Sequence, residues 1–231
     1  MTNVLVVDDQ YLVRAGVAAL LRAAPGFGEV WEAGSGEEAL AAAARHRPEL
    51  VLMDIRMPGM NGIVATERLL APGPGPGPGS GPAGDRPCVI MLTTFDLDEY
   101  VYAALRAGAS GFLLKDTPPE RLLAAIATIA AGDVLFASAV TRRLVEAFSP
   151  PAGPSSADPV LEQLTGRERE VLTWVARGLS NEEIAARLVV SEATVKTHLH
   201  RVMTKLGLRS RAQAVITAYE ARLVVPGTPV D

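Results

Sequence analysis

The sequence predicts an α/β domain with a doubly wound sheet of five parallel strands, followed by a small all-α domain. Three observations lead there. Between residues 1 and 131, five short apolar runs alternate with amphipathic stretches of helical period. A Pro-, Ser- and Ala-rich stretch, Ser149–Pro159, then interrupts the pattern. Beyond it, residues 161–225 hold four short segments with helix-start and helix-stop signals. A length of 231 residues fits two domains, at roughly 100–200 residues per domain.

The strand candidates, in order, are Val4–Val7, Val30–Ala33, Leu50–Met53, Val89–Leu92 and Gly111–Leu114. Several are apolar at consecutive positions, which suits a parallel sheet covered on both faces. Helical patterns lie near 11–24, 36–45, 61–70, 97–107 and 118–131, giving five strand–helix units. A sheet of this kind binds its ligands beyond the carboxyl ends of the strands. The segment Ala71–Pro87 alternates Pro with Gly. Pro lacks a donor and Gly lacks restraint, so this segment forms neither helix nor strand. It also lacks the Gly-Lys-Ser/Thr ending of a phosphate-cradling loop, and it reads as a surface loop. A helix near 137–148 precedes the linker at Ser149–Pro159. The expected division is a first domain at 1–131, a linker helix and linker at 132–160, and a second domain at 161–225.

In the second half, Thr165-Gly-Arg-Glu168 is a capping box that opens a helix running to about Arg177, where Gly178 stops it. Ser180-Asn-Glu-Glu183 opens a second helix, to about Leu188. Ser191 caps a third, Glu192 to Leu206, stopped by Gly207, and a fourth spans about Arg211–Arg222. The turns between them are only a few residues long, which makes this domain compact.

Composition narrows the function classes. Apolar residues make up 48% of the chain, enough for a core. The longest clean apolar helix candidate, Leu122–Ala131, is about half the ~20 residues a bilayer demands. The N-terminal apolar run has no basic stretch before it and ends in Asp8-Asp9, unlike a signal peptide. Cys88 is the only cysteine, which excludes an intrachain disulfide and a Cys-based zinc finger. A cytoplasmic location and no membrane contact are expected. Residues 1–149 carry 12 Lys/Arg against 17 Asp/Glu, whereas residues 161–225 carry 10 against 7. An acidic half joined to a half with a basic segment points to nucleic acid for the second.

Asp8 and Asp9 end the first expected strand and Asp54 ends the third, neighbours in a doubly wound sheet. Three carboxylates therefore converge on one edge, and a hard divalent cation relieves their repulsion. Mg²⁺ takes one or two carboxylates, waters and a phosphate oxygen. Thr93 and Lys115 end the fourth and fifth strands on the same edge. A carboxylate is a weak nucleophile, so a metal and an ammonium must neutralise the phosphoryl oxygens as an aspartyl-phosphate forms. Thr93 is placed to hydrogen-bond such a phosphoryl group, and Phe112 to fill space vacated by its movement.

The runs Val-Val-Asp8-Asp9, Leu-Met-Asp54-Ile-Arg-Met-Pro-Gly-Met-Asn-Gly, Leu-Thr93-Thr94-Phe and Gly-Phe112-Leu-Leu-Lys115 resemble the receiver domain of bacterial response regulators. The resemblance covers about residues 2–131 and implies a flavodoxin-like fold. It implies Asp54 as phosphoacceptor, Asp9 as direct Mg²⁺ ligand, Asp8 acting mainly through water, and the Arg56 backbone carbonyl as a further ligand. It also implies Thr93 as switch hydroxyl, Phe112 as switch aromatic and Lys115 as the stabilising ammonium. Where many receivers carry Pro after this Lys, the chain has Asp116, so a cis Lys-Pro bond does not carry over.

On the third helix of the second half, Val195, Leu199, Val202 and Leu206 form one apolar stripe. Lys196, Thr197 and His200 share another face, with Lys205 further along. Thr194–Arg211 holds five basic residues and no acidic one. Such a helix fits the DNA major groove, braced by the short helix before it. The runs Leu164-Thr-Gly-Arg-Glu-Arg-Glu-Val-Leu, Gly-Leu-Ser-Asn-Glu-Glu-Ile-Ala and Ser-Glu-Ala-Thr194-Val-Lys196-Thr-His-Leu-His-Arg resemble the LuxR-type helix-turn-helix, over about residues 161–223. The resemblance implies that Lys196, Thr197 and His200 face the groove, that Thr194 and Arg209 meet phosphates, and that Glu168 is structural.

Receiver, linker and helix-turn-helix in this order resemble NarL/FixJ-type regulators. The expectation is a transcription regulator, not an enzyme, phosphorylated on Asp54 by a sensor histidine kinase and binding promoter DNA as a homodimer. The fourth helix would form the dimer contact. One alternative is a regulator whose receiver works without phosphorylation. Another is an aspartyl-phosphate phosphatase, but those enzymes carry Asp-x-Asp after their first strand, and Asp8 and Asp9 are adjacent.

Overall fold

The computed structural model describes residues 1–71, 86–93, 98–130, 159–208 and 210–224. The Pro-Gly repeat, the expected helix near 137–148, nearly all of the linker and Arg209 lie outside the described residues. The chain divides into two compact units, Met1–Leu135 and Phe136–Asp231.

In the first unit, strands β1 (Thr2–Val7), β2 (Phe27–Ala33), β3 (Leu50–Asp54), β4 (Cys88–Thr93) and β5 (Gly111–Leu114) form one sheet, in the order β2-β1-β3-β4-β5. Every pairing is parallel. Helices α1 (Tyr11–Ala23), α2 (Gly36–His46), α3 (Gly62–Leu70), α4 (Asp98–Ala107) and α5 (Pro119–Ala130) follow the strands.

The continuous apolar strands are explained by two cores. Val4, Val6, Leu50, Leu52, Ile90 and Leu92 face one core, which α1 covers with Ala18 and Leu21 and α5 with Leu122, Ala125, Ile126 and Ile129. The intervening Leu5, Val7, Val51, Met53, Val89 and Met91 face the other, with Ala39 of α2, Ala65 and Leu70 of α3, and Ala104 of α4. Successive strand side chains point to opposite faces, so a sheet buried on both sides needs apolar residues throughout.

Several strand boundaries differ from the sequence expectation by a few residues. β1 ends at Val7 as expected, with Asp8 and Asp9 in the following turn, but begins at Thr2; β3 extends to Asp54, and β4 runs from Cys88 to Thr93. β2 begins at Phe27, because Phe27 pairs with Thr2 of β1 even though it is flanked by glycines. The strand order reverses between β1 and β3, and the turns above them define the crevice where a ligand of such a sheet sits.

Among the described residues of the second unit, the first element is a 3-10 turn at Pro159–Gln163, which was not expected from the sequence. Four helices follow: α6 (Gly166–Ala176), α7 (Asn181–Leu188), α8 (Glu192–Lys205) and α9 (Arg211–Glu220). Both expected capping boxes form, Thr165 with Glu168 and Ser180 with Glu183. Ser191 caps α8 and Ser210 caps α9 through their hydroxyls. Each cap satisfies amide groups that the first helical turn otherwise leaves without partners. The turn between α7 and α8 passes through Val189 at φ 54°, a left-handed conformation rare for a β-branched residue.

Candidate functional site

The carboxyl edge of the sheet gathers the acidic residues as expected. Carboxylate oxygens of Asp8, Asp9 and Asp54 all lie within 4.8 Å of one another. Asp8 and Asp54 are buried and Asp9 is exposed. Lys115, one residue past β5, sets its ammonium 2.7 Å from Asp8 Oδ2 and 2.9 Å from Asp54 Oδ2. Its own N–H donates to the Thr93 carbonyl at 2.9 Å, which ties the Lys115 turn to the end of β4. Thr93 is buried as the last residue of β4.

Burial dominates the electrostatics of Asp54. It pushes the carboxyl above its ordinary value despite the hydrogen bond and charge of Lys115; the like charge of Asp8 adds to the rise, and the Arg56 N–H opposes it. Burial works against the Lys115 ammonium too, but hydrogen bonds and charge from Asp8 and Asp54 outweigh it and raise its pKa. Together the four groups hold three carboxylates against one ammonium. Asp8 Oδ2 is buried, and the Lys115 ammonium 2.7 Å away is its ion-pair partner. A small divalent cation fits this donor set: hard oxygens and excess negative charge.

The loop after β3 shapes the rest. A cavity of about 510 Å³ opens beside Asp54 and is lined by Asp9, Arg56, Asn61, Tyr100 and Lys115 among others. Asn61 caps α3 by accepting the Val64 N–H at 2.9 Å. Gly62 packs so tightly that a Cβ there would lie 1.9 Å from the Asp54 carbonyl oxygen. Arg56 is exposed, and its backbone N–H donates to the Asp54 carboxylate. Phe112 is half-buried on β5, packed against the core on the α2, α3 and α4 side. Asn61, Gly62 and Tyr100 were not singled out from sequence; Asn61-Gly62, a cap residue beside a glycine, was the available signal for two of them.

In the second unit, Val195, Leu199 and Val202 of α8 are buried, and Leu206, the C-cap, is half-buried. Lys196, Thr197 and His200 are exposed on the opposite side, and Thr194 is half-buried. Lys196 pairs with Glu192 one turn earlier at 2.9 Å. Thr194 Oγ1 lies 2.8 Å from Ser191 Oγ, so its hydroxyl joins the cap. Lys205 is placed differently from the other expected DNA-facing residues. Its ammonium lies 2.6 Å from the buried Glu168 carboxylate, which also accepts the Thr165 N–H. No sequence pattern announces that two guanidinium groups lie over the Trp174 ring, Arg177 at 4.9 Å and Arg187 at 4.4 Å from its centre.

Comparison with known proteins agrees with this geometry. Residues 4–127 match the response regulator receiver domain family, and residues 162–218 match the luxR family of bacterial regulatory proteins. An uncharacterized transcriptional regulatory protein of Bacillus subtilis strain 168, YxjL, is 38% identical over 96% of this chain and 97% of its own. The nitrate/nitrite response regulator protein NarL of Escherichia coli K12 is 36% identical over 96% of each chain. A solved structure of the Salmonella typhimurium RcsB response regulator, 22% identical, superposes with a TM-score of 0.52 over 95% of this chain and 99% of that one, a likeness of fold. A receiver fold bearing an acidic pocket, coupled to a LuxR-type helical domain, defines a response regulator. The chain belongs to the NarL/FixJ-type response regulators, a family of transcription regulators.

Among the described residues, no helix is long and apolar enough to cross a membrane.

Proposed function

We propose that this regulator is switched by a phosphoryl group carried on Asp54, transferred from a phosphohistidine of a sensor histidine kinase. One Asp54 carboxylate oxygen attacks phosphorus, the P–N bond to the histidine breaks, and the histidine nitrogen keeps the electron pair. The observation that carries this reading is the buried Asp54 carboxylate 2.9 Å from the Lys115 ammonium, beside an open cavity and two further carboxylates.

Asp9, Asp54 and the Arg56 backbone carbonyl would hold Mg²⁺, with Asp8 acting mainly through water; bound there, Mg²⁺ neutralises charge on the phosphoryl oxygens. Lys115 is in reach of one phosphoryl oxygen once it yields its bond to Asp54. Thr93 donates its hydroxyl to another, and Phe112 moves into the space that Thr93 leaves. The signal then passes to the helical unit, which binds promoter DNA in the cytoplasm as a homodimer.

For DNA contact we propose Lys196, Thr197 and His200 at base edges, with Thr194 and Arg209 at phosphates. Lys196 must leave Glu192 to do so, and an exposed pair of this kind is worth under ~1 kcal/mol. Lys205 has a structural share, since phosphate contact would break its pair with Glu168. In α9, Ala212, Val215, Ile216 and Tyr219 are buried within the unit. A dimer contact there would use the stripe Gln213, Thr217 and Glu220.

Incubating the full chain with Mg²⁺ and a small acyl phosphate tests the reading. A Mg²⁺-dependent phosphorylated band that Asp54→Asn abolishes is expected; a band of equal intensity in Asp54→Asn contradicts it.

A further inference from the structure

The acidic pocket needs Asp8 and Asp9, adjacent in the chain, held in place although their carboxylates repel Asp54 and each other. The turn after β1 carries both. Gln10, the N-cap of α1, makes no side-chain hydrogen bond to the helix, so the usual cap that would fix this turn is missing. Three bonds do hold Asp8: its N–H donates to the Ala33 carbonyl at 3.2 Å, its Oδ1 accepts the Gln10 N–H at 2.9 Å, and its carbonyl accepts Arg14 Nη1 at 2.5 Å.

We infer that Arg14 is a positioning residue for divalent-cation binding, fixing the Asp8–Asp9 peptide through the Asp8 carbonyl. The inference rests on the reading of the acidic pocket as a cation site. Arg14 stands one turn into α1, with its side chain only 16% exposed. Its Nε lies 3.6 Å from Glu32 Oε2, and its Cζ lies 5.5 Å from the Tyr11 ring centre. A Cβ on Gly34 would come within 3.5 Å of Nη1, so the guanidinium also packs against the turn after β2. One planar fork thereby braces the turns after β1 and β2.

An ordinary ion pair with Glu32 does not account for this arrangement. At 3.6 Å that contact is long, and Glu32 already has Arg22 at 3.0 Å. The short bond goes to the Asp8 carbonyl instead. Partners that orient metal-binding groups typically change metal affinity by about 10- to 100-fold when removed.

The sign of the effect separates positioning from simple charge. Removing a cation near three carboxylates strengthens cation binding through space, whereas releasing the turn weakens it. The full chain, Arg14→Met, Arg14→Lys and Arg22→Met should be titrated with Mn²⁺, with free Mn²⁺ read by electron paramagnetic resonance. Positioning predicts about tenfold weaker Mn²⁺ binding in Arg14→Met, a smaller loss in Arg14→Lys, and a change under about twofold in Arg22→Met. Should Arg14→Met not fold, weakened binding in Arg14→Lys at unchanged charge still supports the assignment. Binding by Arg14→Lys equal to wild type, or binding by Arg14→Met equal to or tighter than wild type, overturns it. Absence of Mn²⁺ binding in the wild-type chain overturns the cation reading as well, which distinguishes the two failures.

Discussion

Lys205, the last residue of α8, lies 2.6 Å from Glu168, the third residue of α6, and so joins the end of one helix to the capped start of another. Glu168 is buried, and the Lys205 hydrogen bond, reinforced by the Thr165 N–H, lowers its carboxyl pKa from 4.5 to about 2. The unfolded chain therefore binds the proton more readily than the folded one. The pair's contribution to stability is complete above about pH 5 and is lost as pH falls from 4.5 toward 2. Thermal melting of the full chain between pH 6 and 3 should show a steeper loss for wild type than for Glu168→Gln. Parallel curves would show that the pair contributes nothing.

The same pair predicts what Lys205 does on DNA. A lysine that neutralises a phosphate adds about 0.9 to the slope of log K against log salt. Lys205→Met should leave that slope unchanged while lowering stability by about 1.5–3 kcal/mol, the range for a hydrogen bond to a charged group. A shallower slope would return Lys205 to the phosphate contacts. Lys196→Ala, in contrast, should weaken specific binding by about 1–3 kcal/mol. A gel-shift titration reads both.

Val189 adopts φ 54° with its side chain 90% exposed. Left-handed backbone costs a β-carbon residue roughly 1–2 kcal/mol, and nothing buried offsets it here. Val189→Gly or Val189→Asn should stabilise the helical unit by about 0.5–1 kcal/mol once backbone entropy is counted, read as a higher urea midpoint. A lowered midpoint would show that the valine makes a stabilising contact.

Gly62 has the opposite constraint. With a Cβ set to meet the Asp54 carbonyl at 1.9 Å, Gly62→Ala must push the β3 end or α3 aside. A loss of about 2–4 kcal/mol is expected, as for other forced clashes in a packed interior. Phosphorylation of Asp54 should fall with it. A variant with native melting and native labelling would show that the loop yields freely.

Much of this was legible in the sequence because periodicity and caps are local. Continuous apolar runs such as Leu50–Met53 marked strands buried on both faces, and Thr165/Glu168 marked a helix start that formed as written. The convergence of Asp8, Asp9, Asp54 and Lys115 followed from strand ends in a doubly wound sheet. What escaped depends on contacts distant in sequence. Lys205 finds Glu168 across 37 positions, and a basic helical residue looks the same whether it faces phosphate or a buried carboxylate. Arg14 acts on a backbone carbonyl, and no residue pattern announces that. β2 extends beyond the apolar run Val30–Ala33 back to Phe27, because Phe27 pairs with Thr2 of β1.

The central claim is that Asp54 is the residue phosphorylated. Borohydride reduces an acyl phosphate on aspartate to homoserine, which peptide mass spectrometry locates. After incubation with Mg²⁺ and an acyl phosphate, homoserine should appear at position 54 and only when Mg²⁺ is present. Homoserine at Asp8 or Asp9 with none at Asp54, or conversion at 54 that persists after chelation of Mg²⁺, would contradict the account.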